Sequence, residues 1–346
     1  MEFTVAARLE VRVTPADVGK RVSVRAAVPS GAPGSKFTDT VGVLTSWTGG
    51  VLLITRRTGE IVRIPETSLV AGKEVPAEPA RRRGPSAGFA ELARVTARAW
   101  QPVESERLGD WELRAAGGFT RRANSVLPLG DPGMPLDEAL SRVRGWYAER
   151  GLPAYVQVAT GAAGTQEELG AALAGRGWRR EVSAEVWTGG LAPVADLAVD
   201  DARVRVERAL GDTWTRRYQR FSEPGPQVRA VLTAGPSVSF ATVPAPSQDP
   251  DAAAGPAPGA PEEAPAAIGR CVVDGRWAGF MAVEVDPAHR RQGLATAVMA
   301  ALARRALDEG ASAAWLQVES DNAPARELYT RMGFAVHHHY HHFRAV

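Results

Sequence analysis

Short apolar and β-branched runs alternate with turn-forming residues over the first 75 positions of the chain. The runs RLEVRV, RVSVRAAV, VGVLTSW, VLLITRR and EIVRIP either alternate apolar and polar positions or are continuously apolar. Segments rich in Gly, Asp, Ser and Thr separate them, as expected for strands joined by tight turns. The pattern predicts a small SH3-like β-barrel over residues 1–76 with no catalytic residues, followed by a polar linker over 77–87.

The rest of the chain carries a weak internal repeat. AYVQVATG (154–161) resembles AWLQVESD (314–321), and LAGRGWRREVSAEVW resembles YTRMGFAVHHHYHHF. A helical pattern of similar length precedes each Gln-Val strand. We therefore predict two copies of one α/β unit, over 88–193 and 200–346. The alternative is that the two strand–helix units resemble each other by chance.

A segment rich in Pro and Ala interrupts the second copy. The stretch VPAPSQDPDAAAGPAPGAPEEAPAA holds seven prolines and no aromatic residue. Such a composition buries too little apolar surface to offset the entropy lost on ordering. It predicts a disordered loop over 244–266, inserted between the strands SVSFATV and IGRCVVDG.

Composition and charge give no reason to expect nucleic acid, a membrane or a cysteine-bound metal as a partner. The net charge is +2, which gives no reason to expect nucleic acid or an anionic membrane as a partner. Cys271 is the only cysteine, so neither an intrachain disulfide nor a cysteine-based zinc site is expected. No apolar run reaches the roughly 20 residues of a membrane helix, and the N-terminus lacks a signal-peptide pattern. The expectation is a cytoplasmic protein, monomeric or homodimeric.

The stretch VDPAHRRQGLATAVMAALARRALDEG (285–310) carries the chemistry. It follows the strand pattern GFMAVEV and continues into a helix with one apolar stripe for packing on a sheet, formed by Ala295, Val298, Met299, Leu302 and Ala306. The first turn of a helix presents unpaired backbone N–H groups and positive potential, which suits a phosphate.

The turn before this helix has three features suited to an anion. Gly293 allows close backbone approach because it has no Cβ. Ala295 is small at the other near position, and it favours the helix more than a second glycine would. Arg290 and Arg291 supply cationic donors.

Together with a second motif, this turn resembles the GNAT N-acetyltransferase family. The pattern R-x-x-G-x-A, here Arg290, Gly293 and Ala295, resembles that family's acetyl-CoA pyrophosphate loop. Downstream, VESDNAPARELYTRMGF resembles its N-x-x-A-x-x-L-Y-x-x-x-G-F motif. The resemblance covers 200–346 well and 88–193 only as a degenerate copy. It implies an α/β fold of two GNAT-type units, the second active, and acetyl-CoA as cosubstrate.

The resemblance also implies roles for individual residues. The backbone of Val283 and Val285 is expected to pair with the pantetheine amides. Tyr329 is expected to protonate the departing thiolate, the alternative being an aromatic that only packs on the sheet. Acetyl-CoA contacts are further expected along the loop and at the start of the second motif, from Arg290, Arg291, Gln292, Gly293, Leu294, Ala295, Thr296 and Asn322.

Two carboxylates are candidates for the base that takes the proton of the acceptor amine. Glu284 lies on the strand beside the expected thioester position and is the first candidate. Glu284 could instead pair with an arginine of a neighbouring strand. Glu319, at the end of the second Gln-Val strand, is the second candidate.

Other polar clusters have less specific interpretations. In HHHYHH, histidines spaced two apart along a strand lie too far apart for an ordinary zinc centre, so no metal is expected and a place near the acceptor cleft or an oligomer interface is favoured. The first copy has GDPGMPLDEA in place of the loop and is expected to bind no CoA. A carboxylate-binding strand and a solvated edge strand are equal alternatives for Arg121, Arg122, Asn124 and Ser125.

The sequence thus predicts transfer of acetyl from acetyl-CoA to a primary amine, by direct attack in a ternary complex. The overall layout resembles bacterial GNAT proteins described as N-acetylglutamate synthases or as histone-acetyltransferase-like, which makes the α-amino group of glutamate one candidate acceptor. One alternative is a protein or peptide acetyltransferase whose N-terminal domain recruits the target. Another is an acyl-CoA sensor without enzymatic activity.

Overall fold

A computed structural model describes residues 11–28, 37–75, 85–220, 225–245 and 264–346. Two compact units are formed, one from 1–80, 158–183 and 338–346, the other from 81–157 and 184–337. Most of the segment predicted as linker, 77–84, lies outside the described residues. Residues 246–263 of the predicted loop also lie outside the described residues. On either side of them, the Ala266 N–H donates to the Val243 carbonyl at 2.8 Å.

The first unit contains a five-stranded antiparallel sheet in the order β4-β3-β2-β1-β5. Alternate residues of its strands point into an apolar core that includes Val22, Val24, Leu44, Leu52 and Ile54. The predicted small β domain is therefore confirmed. Its strands are β1 (Arg21–Ala27), β2 (Phe37–Thr48), β3 (Val51–Thr55), β4 (Ile61–Pro65) and β5 (Leu69–Glu74).

One of the five predicted strands, RLEVRV over 8–13, is described only from Val11 onward. The run RLEVRV, as far as it is described, forms only an isolated bridge between Val11 and Gly72. The fifth strand is instead β5, whose sequence LVAGKE has little β propensity of its own. A Cβ on Gly72 would lie 3.0 Å from the Val13 side chain. The segment around Val13 thus packs closely on Gly72 of β5, and β5 pairs with β1. Hydrophobic periodicity along the chain does not predict this contact.

Elements of the predicted first copy are α1 (Phe89–Ala99), β6 (Glu104–Leu108), β7 (Trp111–Ala115), β8 (Leu127–Pro128), α2 (Leu136–Ala148), β9 (Tyr155–Thr160), α3 (Glu167–Gly175) and β10 (Arg179–Gly190). From 191 onward the chain forms α4 (Ala192–Ala195), β11 (Arg205–Glu207), α5 (Asp212–Arg217), α6 (Pro226–Thr233), β12 (Ser237–Val243), β13 (Ala267–Asp274), β14 (Trp277–Val285), α7 (Leu294–Asp308), β15 (Ala313–Glu319), α8 (Ala323–Arg331) and β16 (Ala335–Arg344). The order strand–helix–strand–helix–strand thus occurs twice, from β8 to β10 and from β14 to β16.

The two copies contribute to one eight-stranded sheet, in the order β11-β12-β13-β14-β15-β10-β16-β9. The last strand of the first copy, β10, pairs antiparallel with β15 of the second copy. The strands β6, β7 and β8 form a separate three-stranded sheet. Because β10 adds to the sheet of the other copy, strand pairing does not follow the division at 193–200 that the repeat suggests.

In the second unit both faces of this sheet are covered. On one face α7 and α4 pack over Phe280, Leu316 and neighbouring apolar residues. On the other face Trp315 and Met281 pack with residues of α1, α5 and α6. The strands around β14 are therefore apolar on both sides, as in a three-layer α/β arrangement.

Arg270 on β13 is fully buried beneath the second face. Its guanidinium donates to the carbonyls of Ala99 at 3.0 Å, Leu232 at 2.7 Å and Ala234 at 2.6 Å. These carbonyls lie at the C-terminal ends of α1 and α6, where intrahelical donors are lacking. One side chain therefore holds two helices against the sheet.

Candidate active site

The parallel ladder between β14 and β15 ends before the strands do. Pairing runs from Trp277–Ala313 to Phe280–Leu316. β14 continues to Val285 and β15 to Glu319 without further pairing between them. The ends of two adjacent strands are thereby left unpaired along their facing edges.

A β-bulge on β14 lies where the ladder ends. The register against β13 shifts between Ile268 and Arg270, which face Glu284 and Met281. Ala282 in the bulge has a φ of 51°, which is uncommon for a residue with a Cβ. Bulges bend a strand and increase its local twist. The bend therefore coincides with the separation of β14 from β15.

Backbone groups of Val283 and Val285 point toward the opening. The Asp286 N–H donates to the Ala266 carbonyl of the chain entering β13, at 2.8 Å. Alternate residues of a strand direct their N–H and C=O groups to opposite sides. Val285 and Val283 therefore present theirs to the side of β15, where the ladder has ended. This is the arrangement expected of the two residues predicted to pair with pantetheine amides.

The turn from β14 into α7 is fixed at Asp286. Its carboxylate accepts the Ala288 N–H at 2.7 Å and pairs with Arg217. The backbone hydrogen bond from Ala288, assisted by the charge of Arg217, lowers the pKa of Asp286 below its usual range. The chain then passes through a short 3-10 turn, Pro287–His289, to the start of α7.

The start of α7 has the properties of a phosphate cradle. Gly293 caps the helix with a φ of 78°, and Arg291 also has a positive φ of 64°. Helix geometry leaves the N–H groups of Leu294, Ala295 and Thr296 without intrahelical acceptors. A Cβ built on Gly293 meets no atom within 4 Å, so the space in front of the turn is open. Arg290, Arg291 and Gln292 are exposed around it.

These residues fit the pantetheine–pyrophosphate part of acetyl-CoA. An open, amide-lined helix N-terminus with cationic side chains can accept two phosphates. The unpaired edge of β14 that leads to it offers backbone donors and acceptors to the amides of an extended chain. The thioester carried by such a chain would lie in the opening between β14 and β15.

Tyr329 lies on α8, on the face of the sheet that α7 covers. It packs against the same apolar cluster as Val283 and Val285, with its ring 6.2 Å from that of Phe334. Burial raises the pKa of Tyr329 to about 12. The phenol therefore keeps its proton at neutral pH and can act only as a donor of that proton, as the predicted acid requires.

The two carboxylate candidates lie on the opposite face. Glu284 and Glu319 alternate with Val285 and Val318, which belong to the α7 face. Glu284 accepts the Gln219 N–H at 3.0 Å, and Arg220 donates to Glu319 at 3.2 Å. The opening between the strands thus has carboxylates on one side and Tyr329 on the other.

Burial raises the pKa of Glu284, although the Gln219 hydrogen bond and the charges of Arg220 and Arg217 lower it in part. A raised pKa makes the Glu284 carboxylate a stronger base and brings its pKa closer to neutral pH, which suits a general base. Glu319 is more exposed, with 47% of its side-chain surface accessible, and it is held in an ion pair with Arg220. Glu284 therefore remains the first candidate.

The remaining predicted contact, Asn322, has a local role in the structure. Its side-chain oxygen accepts the Ala325 N–H at 3.2 Å and caps α8. The cap positions the helix that carries Tyr329. Only the amide NH2 group is then left to serve the predicted contact with the cofactor or the loop.

The corresponding loop of the first copy is filled by its own carboxylates. The Gly133 N–H donates to Asp131 at 2.6 Å, and the Asp131 N–H donates to Asp110 at 3.3 Å. A Cβ on Gly130 would lie 2.5 Å from the Asp110 carboxylate. Amides already bound to negative groups, in a closed space, are unsuited to a pyrophosphate.

The segment with Arg121 and Arg122 is a turn, and the strand proposed for it was wrong. Asn124 holds this turn together by accepting the N–H groups of Ala116 and Gly118 and donating to the carbonyls of Phe119 and Thr120. Both ends of the Asn124 amide are thus used within the loop. Periodicity could not show this, because the amide replaces the regular backbone hydrogen bonds that a strand would make.

Four of the five histidines of β16 are buried, namely His338, His339, His341 and His342, and His341 has the best defined contacts. Its Nδ1 lies 2.8 Å from Ser183 Oγ and its Nε2 lies 3.0 Å from Thr160 Oγ1. Burial lowers the pKa of His341 to about 3, so the ring is neutral. Across the described residues, no group of three or more His, Cys, Asp or Glu is arranged to hold a metal ion.

Cys271 is buried on β13, and burial raises the pKa of its thiol to about 12. A buried thiol of this kind is a poor nucleophile. In the part of the chain that the structure describes, no helix is both long and apolar enough to cross a bilayer.

Comparison with known proteins agrees with this geometry. Residues 87–343 match the sequence family described as "Probable histone acetyltransferase Rv0428c C-terminal", and 16–73 match its "N-terminal Sm-like domain". The protein described as "Probable histone acetyltransferase Rv0428c" of Mycobacterium tuberculosis is 30% identical over 203 residues, which cover 59% of this chain and 60% of that protein. The chain thus matches less than two thirds of this relative's length.

Two solved structures share the fold. A GCN5-related N-acetyltransferase from Kribbella flavida aligns with a TM-score of 0.53 and 14% identity, covering 75% of this chain and 96% of the other. A tandem GNAT protein from the clavulanic acid biosynthesis pathway aligns with a TM-score of 0.50 and 15% identity, covering 76% and 90%.

The fold and the helix N-terminus beside an open strand pair define a GNAT protein with an additional small β domain. The family match covers most of the chain, and the chain belongs to the Rv0428c family of GNAT proteins. The N-terminal domain, predicted as SH3-like, is described in that family as Sm-like.

Proposed function

We propose that this protein transfers an acetyl group from acetyl-CoA to a primary amine by direct attack in a ternary complex. The observation that carries the proposal is the end of the β14–β15 ladder at Phe280–Leu316. It supports a thioester position that is open to both faces of the sheet and continuous with the cradle at Gly293.

Acetyl-CoA supplies the activated acyl group as a thioester. The cradle at the start of α7 holds its phosphates, and the edge of β14 orients the extended part. On one face Glu284 takes a proton from the attacking amine, directly or through water. On the other face Tyr329 donates its proton to the departing sulfur. Base and acid on opposite faces suit a reaction in which the nucleophile enters and the leaving group departs on different sides.

Direct attack is favoured over an acyl-enzyme route by the position of Cys271. The thiol is 2% exposed and lies within the apolar cluster beneath α7. An acyl-cysteine would need a reactive thiolate in contact with the thioester. Replacement of Cys271 by alanine is therefore expected to leave turnover in place.

Steady-state kinetics with an amine panel, monitored by release of free CoA thiol, tests the proposal. A ternary complex gives intersecting double-reciprocal lines when both substrates are varied, whereas a ping-pong route gives parallel lines. Acetyl-CoA binding without thiol release for any amine would favour the sensor alternative.

The acceptor amine can belong to a small molecule or to a protein. Glutamate is a small-molecule candidate through the family resemblance, and the relative described as a probable histone acetyltransferase favours a protein amine as the second candidate. Deletion of residues 1–76 separates them, provided that acetyl-CoA still gives a thermal shift. A small-molecule enzyme keeps its kcat/KM after the deletion, whereas an enzyme that recruits its target through the Sm-like domain loses it.

A further inference from the structure

A small polar pocket lies between the two copies within the second unit. Its lining includes Thr96, Trp100, Arg114, Arg122, Gln157 and Gln317. The residues around it that the structure describes comprise two arginines, two glutamines and one threonine besides apolar groups, and none of them is acidic. The pocket is therefore positive and rich in hydrogen-bond donors.

Two contacts define the position of Arg122 in the pocket. Its guanidinium lies 4.9 Å from the centre of the Trp100 ring and donates to the side-chain oxygen of Gln317. The same indole has Arg270 at 5.2 Å. Trp100, which is 2% exposed, thus serves as a fixed platform for the half-buried Arg122.

Arg114 forms the buried part of the pocket. It is 3% exposed and donates to the Ser125 carbonyl, the Ser125 hydroxyl and the Gln157 side-chain oxygen, each at 2.9 Å. These contacts hold the guanidinium in place with neutral acceptors. A fixed cation behind Arg122 strengthens the positive potential in the pocket.

The pocket adjoins the carboxylates of the candidate active site. Gln317 and Glu319 lie on the same face of β15 two residues apart, which corresponds to about 7 Å along a strand. Arg122, which donates to Gln317, thus lies beside the face of β15 that also carries Glu319.

We propose that Arg122, with Gln317 and the buried Arg114 behind it, binds a carboxylate of the acceptor, so that the preferred acceptors are amines that also carry a carboxylate. The inference rests on the proposed function and adds the substrate class to it. A guanidinium binds a planar carboxylate in bidentate fashion, and an ionised acceptor makes roughly twice as strong a hydrogen bond as a neutral amide oxygen. The carboxylate therefore replaces the Gln317 oxygen as the partner of Arg122, and the Gln317 NH2 group can turn to donate to it.

The first experiment compares acids with their own carboxamides as acceptors for the full-length chain. The pairs are glutamate with glutamine, aspartate with asparagine, and γ-aminobutyrate with its amide, which differ in charge while the amine stays the same. We expect kcat/KM to be at least 10-fold higher for the acid of the preferred pair. Equal values within every pair that is turned over would overturn the inference.

The matched variants are Arg122→Gln and Arg94→Gln. Arg94 is exposed on α1 and lies outside the pocket lining, so its variant controls for the loss of one positive charge. Loss of a hydrogen bond to a charged group predicts a fall of about 10- to 100-fold in kcat/KM for the acid with Arg122→Gln. The amide should lose less than about threefold. An equal loss for acid and amide would instead assign Arg122 a purely structural role.

A binding measurement separates this inference from the proposed function. Glutarate carries carboxylates and no amine, and calorimetry is expected to detect its binding to the wild-type chain and to Arg94→Gln but not to Arg122→Gln. Retention of the acetyl-CoA thermal shift shows that each variant is folded. If no amine is acetylated while glutarate binds in this pattern, the proposed function fails and the anion pocket stands. Absence of glutarate binding to the wild-type chain overturns the pocket.

Discussion

Phe280 and Leu316 form the last pair between β14 and β15, and beyond this pair the two strands continue without a shared ladder. The groups that we assign to acetyl transfer lie beyond that point on both sides. Glu284 follows Phe280 by four residues, and Glu319 follows Leu316 by three. The candidate site is thus built where regular strand pairing ends.

Gly293 tests the cradle. Gly293→Ala and Gly293→Glu both place a Cβ at a φ of 78°, so both carry the same backbone strain, about 1–2 kcal/mol. Only glutamate adds negative charge in the open space before the helix. Acetyl-CoA at a hundredfold excess over its Kd should stabilise the wild type by about 2.7 kcal/mol. We expect the thermal shift to persist in the alanine variant and to vanish in the glutamate variant. A full shift in folded Gly293→Glu would refute the cradle.

Tyr329→Phe tests the acid. The ring packing remains, so acetyl-CoA affinity should change little, while kcat should fall by about 10²- to 10⁴-fold. Since burial raises the pKa of Tyr329 to about 12, the wild-type phenol stays protonated as pH rises from neutral toward that value. The wild-type kcat should therefore show no loss through ionisation of this phenol below its raised pKa. Retention of more than about a third of wild-type kcat would leave Tyr329 only a packing role.

Glu284→Gln tests the base, with Glu319→Gln as its matched control on the neighbouring strand. A base acts in its deprotonated form, so activity should fall as pH drops through its pKa. Because burial raises the pKa of Glu284, that fall should occur above the usual range of a glutamate. We expect Glu284→Gln to lower kcat by about 10²-fold or more and to remove this limb of the pH profile. The reverse result for the two variants would assign the base to Glu319.

The first copy should bind no acetyl-CoA. The amides of Asp131 and Gly133 already donate to carboxylates, which would also repel a pyrophosphate. Calorimetric titration of the full chain is expected to give one acetyl-CoA per chain. A stoichiometry near two would show that the loop of the first copy also binds the cosubstrate.

Arg270 tests how α1 and α6 are held. Arg270→Met keeps much of the volume but leaves three helix-end carbonyls without their donor. Each buried acceptor that loses its partner costs about 1–3 kcal/mol, so the free energy of unfolding should fall by about 3 kcal/mol or more. Arg276→Met is the control, because the exposed Arg276–Glu91 pair should contribute at most about 1 kcal/mol. Denaturant titration of both variants measures the difference, and similar small losses would contradict this role for Arg270.

The sequence by itself determined the local elements of the candidate site. The apolar stripe of α7, the glycine before it and the spacing to Tyr329 are set by residues close in the chain. The structure confirms the helix over Leu294–Asp308 and buries Val298, Met299, Leu302 and Ala306. These features depend on backbone conformation and helical period, which short-range sequence encodes.

Only the tertiary structure decided which residues share a space. The pairing of β10 with β15 joins segments far apart in sequence, and so does the stacking of Arg122 on Trp100. The bulge at Ala282 depends on the partner strand β13. The strand at Leu69–Glu74, which the apolar pattern did not predict, shows the same limit. Strand pairing and the burial of a cation depend on which surfaces meet, and a single sequence carries that information only through the packing of the whole chain.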